Sequence, residues 1–103
     1  MRKIETTTAF NKAIKKVSKY NNFKKSKFDI AITKLQNGEA LDPTYKDHKA
    51  VEHSRRGYNK SRIFHAAPDI VVIYMLTADS LILQDIGSHS DLFENLIWLI
   101  TTY

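Results

Sequence analysis

The longest uninterrupted apolar segment of the chain covers residues 70–76 and contains only aliphatic, methionine and tyrosine side chains. A strand of this length without polar alternation is expected to be buried on both faces of a sheet. The polar residues 77–80 separate it from a second apolar run at 81–83, which predicts a hairpin. A third strand is predicted to start at Arg62 and to turn back at Pro68. We expect these three antiparallel strands to form the centre of the fold.

Two amphipathic helices are predicted ahead of this sheet. The first begins at Thr8 and has three apolar residues on one stripe, with the lysines mostly outside it: Phe10, Ile14 and Val17. The second has four apolar residues at positions i, i+3, i+4 and i+7: Phe28, Ala31, Ile32 and Leu35. Ser26 with Asp29 resembles a capping box at its start, and Gly38 is a natural stop because glycine accepts the left-handed conformation. Both stripes are predicted to pack on one face of the sheet.

The remaining segments carry weaker patterns. Residues 2–7 are compatible with an edge strand of the same sheet. Residues 39–61 contain few aliphatic side chains and are predicted to form a long irregular connection, which in a compact domain is often functional. Basic and aromatic side chains are interleaved there, which suits single-stranded RNA but also an ordinary surface loop: Tyr45, His48, His53, Arg55, Arg56 and Tyr58. The length predicts one α+β domain over residues 1–103.

Charge is distributed unevenly along the chain. Residues 1–62 contain all 16 basic residues and six of the 11 acidic ones, a net charge of +10, whereas residues 63–103 carry −5. This split predicts that the helical part faces a polyanion such as nucleic acid, although a solvated lysine surface explains the same pattern. The sequence shows no membrane span or signal peptide, so a cytoplasmic location is expected. The absence of cysteine excludes disulfides and thiolate metal sites.

The predicted strands bring distant polar residues to one end of the sheet. Folding the chain back at the polar break places Asp69 alongside His89, and the preceding turn places His65 beside Asp69. Imidazole and carboxylate groups in this arrangement suit proton transfer, while a satisfied sheet-end histidine or a strand-capping aspartate is the structural alternative for each residue. A zinc site that adds His48 is chemically conceivable, but no local spacing requires a metal and none is predicted.

Three motifs carry a resemblance to a known family: the string YKDH at 45–48, the pattern Arg62-x-x-His65-x-x-Pro68-Asp69 before an apolar strand, and the ending GSHSDLF at 87–93. In these motifs and in its helix pair, the chain resembles the YafQ branch of the RelE-type toxins over almost its whole length to residue 93. The resemblance implies a RelE-like α+β fold, with a small mainly antiparallel sheet, two N-terminal helices on one face and a short C-terminal helix. It also implies a ribosome-dependent mRNA endoribonuclease that needs no cofactor and is held inactive by a cognate antitoxin.

The resemblance also implies roles for individual residues. His89 matches the main catalytic acid/base, and three residues match the other polar members of that site: His48, His65 and Asp69. Phe93 matches the phenylalanine that helps to hold the RNA. Four basic residues are predicted to contact RNA, either messenger or ribosomal: Lys46, Arg55, Arg56 and Arg62.

One position two residues before the last motif departs from the family. Asp85 stands where the family usually has an arginine, and a carboxylate has the wrong sign to offset developing phosphate charge. Three interpretations remain open: Asp85 orients His89 or His65, a nearby arginine supplies the missing charge, or the nuclease is attenuated. In the last case the protein binds RNA or an antitoxin without cutting.

The C-terminal end is a second departure. Residues 94–103 form an apolar extension beyond the usual end of the family and are predicted to continue a helix opened by Ser88 or Ser90. The extension is expected to pack on the sheet of this domain, or alternatively to bind the antitoxin or a second copy. No role is assigned to His53.

Overall fold

The fold is built on one mixed sheet with helices on one of its faces. The computed structural model describes residues 1–49 and 61–92. In chain order the elements are β1 (Lys3–Thr6), α1 (Thr8–Val17), α2 (Lys25–Gln36), a 3-10 turn (Pro43–Tyr45), β2 (His48–Lys49), β3 (Arg62–Ala67), β4 (Ile70–Leu76) and β5 (Ser80–Gly87). Residues 89–92 are also helical. The predicted α+β class, mainly antiparallel sheet and helix pair are confirmed.

The apolar strand β4 lies at the centre of the sheet, whose spatial order is β1-β5-β4-β3-β2. It pairs antiparallel with β3 and β5, and its first five residues are buried. β1 pairs in parallel with β5 at one edge, as the pattern of residues 2–7 allowed. The two central hairpins, β3 with β4 and β4 with β5, are therefore those predicted. An uninterrupted apolar run is typical of a strand that is covered on both faces.

The connection after α2 is more ordered than its composition predicted. Residues 43–45 form a 3-10 turn that buries Tyr45 in the core, and β2 adds a two-residue strand antiparallel to β3. The prediction of an irregular segment over 39–61 is wrong in this part. A pairing of only two residues leaves no periodic pattern in the sequence, because it depends on the tertiary position of β3.

The two helices cover one face of the sheet through an aromatic and aliphatic core. Phe28 of α2 stacks on Phe10 of α1, with ring centroids 6.3 Å apart, and lies 6.5 Å from the ring of Phe64 in β3. Phe64 is completely buried. Ala31, Ile32 and Leu35 complete this contact, as the helical spacing predicted.

The start of α2 differs from the prediction, whereas its end agrees. The capping box of Ser26 and Asp29 is wrong, because Lys24 occupies the N-cap without a side-chain cap and Ser26 falls within the first turn. Asp29 forms an ion pair with Lys25 instead, at 2.8 Å and with i,i+4 spacing. Gly38 has φ +76° directly after the C-cap, as expected of a glycine stop.

The opposite face of the sheet carries a smaller apolar cluster and the polar residues of interest. Ile63, Val71 and Ile73 are buried there, and Leu92 packs against them. A β-bulge leaves Gln84 without a pairing residue in β4, because Ile73 pairs with Asp85 while the next residue, Tyr74, pairs with Leu83. Leu83 and Ile86 consequently both face the helices, although they are three residues apart. Asp85 therefore lies on the opposite face, with Ile73.

No helix within residues 1–49 and 61–92 combines the length and the apolar character that crossing a membrane requires.

Candidate active site

Three imidazoles and one carboxylate meet at one end of the sheet. His48 belongs to β2, His65 to β3, and His89 is the first helical residue after β5. The ring centroids of His48 and His65 are 6.1 Å apart, and those of His65 and His89 are 5.4 Å apart. Asp69 lies in the two-residue turn between β3 and β4. Strand pairing thus brings together all four residues that the sequence singled out as catalytic.

Asp69 holds His89 through two hydrogen bonds. The backbone N–H of His89 and its ring Nδ1 both donate to Oδ1 of Asp69, at 3.2 and 2.8 Å. These two bonds, from the ring first and from the backbone second, hold the pKa of Asp69 below its ordinary value. A carboxylate can only accept, so Nδ1 carries a proton and Nε2 is the ring nitrogen that remains for proton transfer.

His65 lies between the other two imidazoles and is half-buried. Burial lowers its pKa from 6.5, and the positive charges that His89, His48 and Lys46 can carry lower it further. His65 is therefore neutral at pH 7 and can accept a proton.

His48 is exposed, and its orientation is fixed by the turn before it. Its Nδ1 lies 2.5 Å from the carbonyl oxygen of Lys46, which can only accept, so Nδ1 carries the proton and Nε2 is left free. Lys46 has a left-handed backbone with φ 52° and follows directly after the 3-10 turn. The exposed Lys46 side chain also contributes to the electrostatics of His65. The structure thus places this predicted RNA contact beside the histidines.

Arg62 does not join this group. It pairs with Tyr74 on the face of the sheet that the helices cover, and its Nε donates to Oδ1 of Asp47 at 3.3 Å. Tyr74 donates its hydroxyl to the same oxygen at 2.5 Å. The hypothesis that Arg62 supplies the missing phosphate-binding charge at the histidines is therefore wrong, because alternation along β3 turns it away from His65.

Asp85 lies on the same face of the sheet as the histidines, but further along the strands, away from the sheet end. Val71 pairs with both His65 and Gly87, whereas Asp85 pairs with Ile73, two residues further along β4. Two residues of strand correspond to about 6–7 Å. Asp85 is 3% exposed, and its Oδ1 accepts from the N–H of Ile86 at 2.9 Å. A carboxylate thus occupies the buried position at which the family resemblance led us to expect an arginine.

Two residues of the site region were missed by the sequence patterns. Asp47 anchors the segment that carries His48, and Asp91 binds the turn that carries His89. Both residues stand within the motifs named above. Their closeness in sequence to His48 and His89 is the signal that could have identified them. Ser88 opens the last helical segment, as one of the two predicted serines.

Some predicted residues cannot be placed. His53, Arg55, Arg56, Phe93 and the extension 94–103 lie outside the described residues. In the part of the chain that is described, no group of three or more histidine, aspartate or glutamate side chains is arranged to hold a metal ion.

Solved structures with the same fold include toxins. A copper-bound mutant toxin from Helicobacter pylori superposes with a TM-score of 0.79 at 33% identity, over 90% of this chain and 100% of that one. The Escherichia coli DinJ-YafQ complex matches with a TM-score of 0.74 at 31% identity, over 90% of this chain and 99% of that one. The structure therefore has the RelE-like toxin fold.

Sequence comparison identifies the family within that class. The model of a family described as a bacterial toxin of type II toxin-antitoxin system, YafQ, matches residues 2–94. The mRNA interferase toxin YafQ of Escherichia coli strain B / BL21-DE3 is 32% identical over 93 residues, which cover 89% of this chain and 96% of that protein. The chain belongs to the YafQ family of type II toxin–antitoxin toxins.

Proposed function

We propose that this protein is the toxin of a type II toxin–antitoxin pair and cleaves messenger RNA on the ribosome. The observation that carries the proposal is the group formed by His65, His89 and Asp69. In this group, the ring centroids of the neutral His65 and of the carboxylate-bound His89 are 5.4 Å apart at the sheet end. Two such rings flank a single phosphodiester, one on the attacking and one on the leaving side.

The reaction needs no nucleophile from the protein, because RNA supplies its own 2′-hydroxyl. Neutral His65 takes the proton from this hydroxyl, and the 2′-oxygen attacks the adjacent phosphorus. The bond from phosphorus to the 5′-oxygen then breaks, and protonated His89 gives its Nε2 proton to that oxygen. The products are a 2′,3′-cyclic phosphate and a 5′-hydroxyl. Asp69 accepts from Nδ1 of His89 and so fixes its ring with Nε2 as the nitrogen that gives up the proton.

Charge stabilisation at the phosphate is assigned to Lys46 and His48. Lys46 is a basic side chain whose charge acts on His65. Because Nδ1 of His48 is bound to the carbonyl of Lys46, the protonated form of His48 can donate from Nε2 to a phosphate oxygen. Preorganised donors of this kind stabilise the charge that develops in the transition state. Phe93, Arg55 and Arg56 remain proposed RNA contacts.

The lysine-rich helices are proposed to bind ribosomal RNA. Six lysines are exposed on and directly around α1 and α2: Lys12, Lys15, Lys16, Lys19, Lys24 and Lys25. An exposed cluster of one sign binds a polyanion with strong salt dependence. Docking through these residues leaves the sheet end with its histidines free to contact the message.

A cognate antitoxin is the proposed regulatory partner, and the cytoplasm is the proposed location. Support comes from the Escherichia coli relative, whose structure has been solved as a DinJ-YafQ complex. Messenger RNA and ribosomes are both cytoplasmic, which agrees with the proposed substrate.

A second candidate function is RNA or antitoxin binding without cleavage, and Asp85 favours it. A buried carboxylate on the face of the histidines opposes the accumulation of negative charge on the phosphate. Replacing Asp85 with Arg tests this alternative, with Asp85→Asn as the smaller change that removes only the charge. A gain of cleavage supports attenuation, whereas a large loss shows that Asp85 has its own part in catalysis.

The deciding experiment is primer extension on a reporter message in a cell-free translation reaction. Wild-type protein is compared with His89→Ala and His65→Ala, and with Asp79→Ala as a surface control, because Asp79 is exposed in the turn between β4 and β5, at the other end of the sheet. Cuts that need ribosomes, His89 and His65 support the proposal. Cuts without ribosomes overturn ribosome dependence, and the absence of cuts from a folded, RNA-binding protein favours the second candidate.

A further inference from the structure

Asp91 binds three donors with one carboxylate. Its Oδ2 accepts from the backbone N–H of Ser88 and from the hydroxyl of Tyr20, both at 3.0 Å. Its Oδ1 lies 3.1 Å from Nζ of Lys16. In return, the backbone N–H of Asp91 donates to Oγ of Ser88 at 3.1 Å. This reciprocal bonding closes the turn around His89, which lies between the two residues.

Gly87 makes this contact sterically possible. A Cβ built on Gly87 would lie 2.9 Å from Cβ of Asp91, closer than unbonded carbons approach in proteins. A left-handed backbone does not explain the glycine at position 87. Among the described residues, positive φ is found at Gly38 and not at Gly87. The glycine before the histidine turn is therefore required by the close packing of Asp91 over the end of β5.

The three donors keep Asp91 charged. Burial alone would raise its pKa, but hydrogen bonds from the Ser88 backbone and from the Lys16 and Tyr20 side chains lower it to about 2. Two of these donors belong to α1 or directly follow it, and α1 packs on β5. The turn is thus anchored to a rigid helix as well as to the strand that precedes it.

We propose that Asp91 is a positioning residue, which holds His89 in the orientation that its bonds to Asp69 and its distance from His65 require. The proposal rests on the proposed cleavage reaction for its kinetic consequence. His89 is 45% exposed, so packing alone does not fix its ring. The fixed turn on one side and Asp69 on the other set both the backbone and the ring of His89. Displacement of a catalytic group by about 1 Å can cost a factor of about 100 in rate.

The experiment compares Asp91→Ala with Asp91→Asn. Alanine removes all the side-chain contacts, whereas asparagine keeps an oxygen that can accept from Ser88 and Tyr20. Asp29→Ala is the matched control, because Asp29 also pairs with a lysine but lies on the surface of α2, away from the histidines. If Asp91→Ala does not fold, Tyr20→Phe and Ser88→Ala remove one contact each.

The first readout is the state of the His89 ring, measured by ¹⁵N NMR of the imidazole nitrogens. In the wild type the neutral ring is expected to carry its proton on Nδ1, facing Asp69. Asp91→Ala is expected to give a mixture of the two tautomers, and Asp91→Asn to resemble the wild type. An unchanged His89 tautomer in a folded Asp91→Ala protein overturns the proposal, whether or not the protein cleaves RNA.

The second readout is the kinetics of cleavage on message-programmed ribosomes. Asp91→Ala is expected to lower kcat about 10- to 100-fold with KM unchanged within about twofold, since the geometry of proton transfer is lost while docking is kept. Asp91→Asn and Asp29→Ala are expected to stay within about threefold of the wild type. A rise in KM at constant kcat contradicts a positioning role. Absence of cleavage by the wild type refutes the proposed function, and the NMR measurement then decides on Asp91 by itself.

Discussion

The hydroxyl of Tyr74 offers a sharp test of how the segment carrying His48 is held. Tyr74 is buried in β4 with its ring centroid 5.7 Å from that of Phe64, and its hydroxyl donates to Asp47. Burial, followed by the bond to Asp47, raises the pKa of Tyr74, so the hydroxyl keeps its proton at every working pH. Tyr74→Phe removes this donor and leaves the ring in place.

The size of the effect follows from the charge of the acceptor. A hydrogen bond to a charged group contributes about 1.5–3 kcal/mol, and the partial exposure of the Asp47 side chain, 22%, favours the lower end. We expect Tyr74→Phe to lower the free energy of unfolding by about 1.5 kcal/mol. Tyr45→Phe is the matched control, because Tyr45 is also buried but donates to a neutral backbone carbonyl, that of Lys27, at 3.1 Å. Its expected loss is about 0.5–1 kcal/mol.

Urea denaturation followed by circular dichroism measures both losses, and a double-mutant cycle tests their origin. Tyr74→Phe is combined with Asp47→Ala, which removes the acceptor, and the coupling energy is expected to be about 1 kcal/mol or more. If the two changes add within about 0.5 kcal/mol, the hydroxyl and the carboxylate do not stabilise each other and the reasoning is refuted. A Tyr45→Phe loss equal to that of Tyr74→Phe would also contradict it.

Three further predictions concern the site, the core and the lysines. Because the pKa of His65 is lowered from 6.5, cleavage is expected to persist as the pH falls from 7 and to decline only below about 6.5. Lys46→Met removes a positive charge that lowers this pKa, so the decline should begin at a higher pH. A pH–rate profile that is the same in Lys46→Met and in the wild type contradicts this prediction. Phe64→Ala is expected to cost about 3–5 kcal/mol in urea denaturation, whereas Ile30→Ala, at a residue that is 52% exposed, should stay within about 0.5 kcal/mol. Replacing Lys15 and Lys19 with alanine should reduce the slope of the logarithm of the ribosome-binding constant against the logarithm of salt concentration. The expected reduction is about 0.7–0.9 per lost phosphate contact, and an unchanged slope shows that the ribosomal RNA binds elsewhere.

The sequence predicted those parts of the fold in which many residues share one pattern. Seven consecutive apolar residues identified β4, and helical spacing identified the buried faces of α1 and α2. Features that depend on one or two residues were not predictable. The N-cap of α2 is Lys24, which carries no capping side chain, and β2 consists of a single pair of residues that follows the position of β3.

The candidate site shows the same division. Strand order predicted that His65, Asp69 and His89 converge, because antiparallel pairing fixes which strand ends are adjacent. The contacts of Asp91 were not predictable, because they depend on where Tyr20 and Lys16 lie after α1 has packed on β5. That Arg62 and His65 face opposite sides of the sheet was predictable, because residues three apart on one strand alternate in direction.

The parallel pairing of β1 with β5 has a consequence for synthesis of the chain. Lys3 pairs with Ser80, so β1 cannot join the sheet until β5, the last strand of the described residues, has been synthesised. Until then its N–H and C=O groups are an open edge. His89 follows β5 in sequence, so the sheet end that carries the histidines is also completed late. The nascent chain thus reaches its folded form only after β5 and the turn with His89 have been synthesised, and contacts of such long sequence separation form slowly.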